Sequence, residues 1–134
     1  MTSQPAPSPE ACLGPTRFID STHPSIVAAV DELGIRCLPP VERARRVFAF
    51  VKDRIRYEFS AKMSEEEYIA SYVLAAGRGF CVQKAVLLAA LGRAAGVPTA
   101  LALSDLRDRS LPAWVTEALT TDVMHHHGLN AFWP

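Results

Sequence analysis

Gly77-Arg78-Gly79-Phe80-Cys81-Val82-Gln83-Lys84-Ala85 leads without interruption into an apolar, alanine-rich run that stops at Ala95-Gly96-Val97-Pro98. Two glycines mark a turn, and the run behind them has the length of a helix that starts at Cys81. Val82, Ala85, Val86 and Ala89 lie on one side of that helix, and Leu87, Leu88 and Leu91 fill the other. A helix apolar nearly all round belongs at the centre of its domain. A thiol on its first turn meets unpaired backbone N–H groups and the positive end of the helix dipole, both of which favour thiolate. A free cysteine among apolar residues is more often packing than chemistry, and glycines before a helix are ordinary turn residues. The helix-start position argues for a nucleophile, and so does a histidine-bearing segment downstream, His125-His126-His127-Gly128.

Working outward, helices are expected from Pro24 to Leu33, stopped by Gly34, and from Pro40 to about Ile55 with Val41, Ala44, Phe48, Val51 and Ile55 as the apolar stripe. Arg43, Arg45 and Arg46 then read as a solvated face. Ile55 to Phe59 alternates as a short extended piece. A third helix is expected from Ser64, with Glu67 completing a capping box and Gly77 stopping it. After Pro98, Thr99 to Leu103 reads as a buried strand, Asp105 to Pro112 as a loop, Trp114 to Leu119 as an amphipathic turn, and Val123 to Trp133 as a strand. Strict alternation would put His125 and His127 on one face of that last strand and His126 on the other. Helices first and strands after describe an α+β domain.

At 134 residues the chain has material for one core, and Lys+Arg and Asp+Glu balance at 14 each. That balance disfavours nucleic acid or an anionic membrane as a partner. No apolar run approaches the ~20 residues of a membrane span. Residues 1–17, rich in Pro and Ser at the start, read as a disordered lead-in without the pattern of a secretory signal, so the cytoplasm is the expected compartment. Cys12, Cys37 and Cys81 are scattered and odd in number, which disfavours a disulfide framework. His125 and His127 could share an ion, but no Asp, Glu or Cys stands at a matching spacing, and no metal or cofactor is expected.

The stretch from Gly79 through Leu88, with Leu91-Gly92-Arg93-Ala94-Ala95-Gly96-Val97-Pro98, closely resembles the cysteine motif of the transglutaminase-like superfamily. The resemblance takes in Phe18-Ile19-Asp20 with His23-Pro24, Val51-Lys52-Asp53-Arg54-Ile55-Arg56-Tyr57, and Thr121-Asp122 followed by His127-Gly128. It spans about Phe18 to Pro134 and is similar to the bacterial, single-domain branch. It implies a papain-like core: N-terminal helices, a buried central helix starting at Cys81, and an antiparallel sheet carrying His127. Cys81 would be the nucleophile and His127, followed by the small Gly128, the general base, with His125 as runner-up. The implied activity is acyl transfer or hydrolysis at a carboxamide or peptide bond of a protein or peptide substrate. The family's third group, usually Asp, sits on the strand after the histidine. Here the chain stops at Pro134, seven residues past His127, so the sheet is expected to be incomplete, with an edge strand open to self-association. Asn130, three positions on, is expected to face away from His127. The contrasting expectation is a non-catalytic relative that binds or scaffolds.

Overall fold

The computed structural model describes residues 5–60 and 63–134; the first four residues of the expected lead-in lie outside the described residues. Its elements in chain order are α1 (Pro24–Leu33), α2 (Pro40–Arg54), β1 (Arg56–Tyr57), α3 (Ala70–Ala76), β2 (Arg78–Gly79), α4 (Cys81–Ala94), β3 (Thr99–Arg107), α5 (Ala113–Leu119) and β4 (Val123–Phe132). This is the expected α+β order, helices before the main strands. α4 is the hub. It packs against α1, α2 and α3 and also against β3 and β4, and Gln83 and every residue from Ala85 to Arg93 are buried. Ile26, Val30, Val47, Val51, Val73, Val86, Leu87 and Leu91 form the core with it.

Several expectations are corrected by tertiary partners. The third helix does not run from Ser64. Glu65–Tyr68 is a 3-10 turn whose preceding Ser64 makes no capping bond, and Ile69 is extended at ψ 133°. The helix proper restarts at Ala70 because its free N–H groups find partners elsewhere. The Ala70 N–H donates to the Phe18 carbonyl at 2.8 Å, and the Ser71 N–H donates to Asp20 Oδ1 at 3.0 Å. A distant carboxylate thus does the work assigned to a local capping box. On α2 the buried stripe is Val47, Val51 and Ile55, whereas Val41 and Phe48 are exposed. Arg43 is half-buried rather than solvated: its guanidinium donates to the carbonyls of Leu38 and Ala95. Together with Arg36, which donates to the Ala94 carbonyl, it places positive charge at the C-terminal end of α4, where the helix dipole favours it.

The lead-in is also partly built. Pro9–Cys12 forms a 3-10 turn with Cys12 buried, and the Arg93 guanidinium donates to the Gly14 carbonyl at 2.8 Å and to the Thr99 carbonyl at 2.9 Å. One side chain on α4 therefore ties this segment to the start of β3.

The two sheets are small. β1 and β2 pair in parallel, Arg56 with Arg78 and Tyr57 with Gly79. β3 and β4 pair antiparallel, from Thr99 with Phe132 to Arg107 with Val123. β3 is longer than expected, because Leu106 and Arg107, read as loop, pair with Met124 and Val123. A cross-strand partner outweighs weak local propensity.

Candidate active site

Cys81 is the first residue of α4, half-buried, behind Phe80 in extended conformation. The turn that delivers it is held by Gln83. Its Oε1 accepts the Phe80 N–H at 3.1 Å, and its Nε2 donates to the Glu67 carbonyl at 2.9 Å. Gly79 is needed there for space: a Cβ would stand 2.8 Å from Gln83 Cβ. The local sequence thus spends a glycine and a buried glutamine on fixing where the thiol emerges.

β4 reaches this helix end at Gly128. A Cβ on that residue would stand 2.8 Å from Val82 Cα and 3.0 Å from the Cys81 carbonyl oxygen, so only glycine lets the strand backbone lie on the first turn of α4. His127 is one residue from this contact. Further along β4, Asn130 Nδ2 donates to the Ala85 carbonyl at 2.8 Å. Its amide is committed to α4, in keeping with the expectation that it does not serve His127.

The histidines are separated by an irregularity that alternation could not foresee. The β3–β4 register slips between Ser104 and Leu106, and His126 sits at φ 55°. Asp105 holds the bulge. Its Oδ1 accepts the His126 N–H at 3.2 Å and pairs with His125 Nδ1 at 3.2 Å. The His126 N–H and then the His125 ring hold the Asp105 carboxyl below the usual range. With the alternation interrupted, a shared face for His125 and His127 no longer follows from their spacing. His125 is exposed and engaged with Asp105, whereas His127 is half-buried. His127 Nδ1 is buried with no hydrogen-bond partner, so that nitrogen makes no hydrogen bond to Cys81. Asp108 is close enough for His127 to help lower its carboxyl, though Ser110 is the larger cause and takes Oδ1 at 2.6 and 2.9 Å. Among the described residues no group of three or more His, Cys, Asp or Glu could hold a metal ion.

Cys81 opens onto a cavity of about 420 Å³. Its floor is the Cys81, Lys84, Ala85 and Leu88 face of α4, and its walls include Phe48 and Val51 of α2 and Leu129 and Phe132 of β4. The central helix is therefore not covered all round. Lys84 Nζ donates to the Ile55 carbonyl at 2.7 Å, and burial pushes its pKa down, with Asp53 opposing. Tyr57 joins the lining from β1. Burial raises its phenol pKa, the negative charge of a neighbouring Cys81 thiolate raises it further, and the Cys81 N–H lowers it. In the sequence Tyr57 belonged to an alternating segment and closed a family-like stretch, with no role attached to it. What brings it to the cysteine is the β1–β2 pairing, which no local pattern announces.

An α+β domain whose central helix begins at a cysteine, with a later strand laid across that helix end, is the arrangement expected of a transglutaminase-like core. The model of the transglutaminase-like superfamily matches residues 28–133, and the chain belongs to that superfamily. No curated protein and no solved structure matches it.

Proposed function

We propose that the chain is a cysteine acyltransferase or amidase domain acting on carboxamide or peptide bonds, with Cys81 as nucleophile and His127 as its proton carrier. The observation that carries this reading is the emergence of Cys81 from the first turn of a buried helix onto an apolar-walled cavity, with β4 seated on that same turn. The Cys81 thiolate attacks the carbonyl carbon, forming a C–S bond as the carbonyl π electrons move to oxygen. Collapse of that intermediate breaks the C–N bond, and the His127 imidazolium gives its proton to the departing ammonia or amine. Water or a second amine then attacks the thioester, loses a proton to His127 and releases the thiolate. Superfamily membership supports the reaction class, and the cavity favours a protein or peptide substrate with an apolar group beside the scissile bond.

The same chemistry fits a reduced, cytoplasmic thiol, and no helix among the described residues is long and apolar enough to cross a membrane. A second reading, a binding relative without turnover, is favoured by one observation: His127 Nδ1 has no partner, and among the described residues His127 forms no ion pair with a carboxylate. Trapping separates the two. Incubation with glutamine-containing peptides should give a thioester on Cys81, visible by mass spectrometry at low pH and absent in Cys81→Ala. Peptide that binds without acylating Cys81 supports the second reading.

A further inference from the structure

We infer that Lys84 and Lys52 form an anion-recognition pair in this cavity, reading a carboxylate that the substrate carries within a residue or two of the reacting carboxamide. The inference rests on the cysteine-enzyme reading above and adds specificity residues to it. The layout of the cavity carries it. Cys81, Lys84 and Leu88 follow one another along its floor, and Lys84 is one helical turn on from the cysteine, about 4.5 Å of rise. α2 runs antiparallel to α4 beside that floor. Arg43, near its start, reaches the Ala95 carbonyl, and the Ile55 carbonyl at its end accepts from Lys84 Nζ. Lys52, one turn before Ile55, therefore shares the thiol end of the cavity with Lys84, whereas Phe48 and Leu88 each lie a turn further from it.

The charge of this cavity is one-sided. Among the described residues its lining holds these two lysines and no carboxylate, and none of the described ion pairs includes either lysine. An ammonium has three hydrogens to donate, and the described bond of Lys84, to Ile55, uses one. Burial pushes the Lys84 pKa down, and Asp53 opposes that without lining the cavity. A cation that has lost part of its hydration and gained no counter-ion has most to gain from an arriving carboxylate. Lys52 is exposed and contributes attraction at the mouth rather than a buried bond. A purely structural Lys84, tying α4 to α2, would account for its one hydrogen bond but not for a second unpaired cation at the same end of the cavity.

Glutamine peptides test this, with acylation of Cys81 followed by mass spectrometry. Blocked at both ends, they carry either no charge or a single Glu placed one or two residues to either side of the glutamine. A neutral peptide ending in a free carboxylate at the glutamine separates a chain-end anion from a side-chain one. At least one of the charged peptides should acylate wild-type Cys81 about tenfold more efficiently than the neutral one, the order of one charge-assisted hydrogen bond. The difference should lie in the half-saturating concentration rather than in the limiting rate. Lys84→Met and Lys52→Glu should each remove most of that preference, and Lys52→Glu, at an exposed position, decides the matter should Lys84→Met not fold. Uncharged iodoacetamide is the control: a variant that slows its reaction with Cys81 in proportion would overturn the inference by showing that the lysines act on the thiolate. Equal efficiency for charged and neutral peptides, or a preference that both variants keep, would overturn it and leave the cysteine-enzyme reading standing. No adduct on wild-type Cys81 with any peptide would remove both the lysines' role and the reading on which it rests.

Discussion

Single atoms decide this site. Cys81 and its glycine-led approach were legible in sequence because helix starts and turns are local, and the structure begins α4 at that residue. The role of Gly128 was visible only as a small residue after a histidine. Its physical meaning is a backbone-on-backbone contact with Val82 and Cys81, which depends on a strand 47 residues further along the chain. Gly128→Ala should therefore destabilise the protein by roughly 1–3 kcal/mol, the usual cost of overpacking against atoms that cannot move aside. It should also alter the reactivity of Cys81, since the helix end must shift. Urea unfolding and thiol labelling would measure both, and an unchanged variant would mean that β4 does not bear on α4 there. His23, part of the family-like stretch, has a plainer explanation: its Nδ1 accepts the Ser25 N–H at 3.2 Å and caps α1.

At the scale of elements, helices with both ends marked by proline and glycine were readable, and those capped from a distance were not. α1 has its bounds because Pro24 and Gly34 set them. α3 starts late because Asp20, about fifty positions away in sequence, supplies its cap. Period-2 reading found β4 but not its bulge, because the bulge is held by a side chain on β3 rather than by anything in 125–127 itself. That dependence predicts a pH response. The folded Asp105 carboxyl is held low, chiefly by the His126 N–H and then by His125, so its contribution is present above the ordinary carboxylate value of ~3.9 and is lost as pH falls through the folded value. Amide exchange at His126 should stay slow from neutral pH down to about pH 4, once corrected for intrinsic rates, and lose protection below it. In Asp105→Ala the same amide should already be unprotected at neutral pH. Protection that ignores both changes would show that the bulge is held by backbone alone.

For the molecule as a whole, the helical half is tied together by buried contacts and by arginines at the end of α4, whereas β3 and β4 form a two-stranded sheet. Among the described residues β4 pairs only with β3, and Leu103, Leu106 and Leu129 are exposed along the pair. Open strand edges with apolar side chains template pairing with another chain. Size-exclusion chromatography with light scattering should show concentration-dependent association that Leu129→Lys weakens; a strict monomer at every concentration would argue that this edge is protected. The central claim is that Cys81 is activated by its helix end and by His127, and the pH profile of alkylation tests it most directly. The exposed Cys37 provides the internal reference, and the buried Cys12 should label slowly throughout. Cys81 is predicted to keep reacting with iodoacetamide at pH values where Cys37 has slowed, and His127→Ala is predicted to remove that acid-side reactivity while His125→Ala and His126→Ala leave most of it. A Cys81 profile that follows Cys37 in the wild type, unmoved by His127→Ala, would contradict the account.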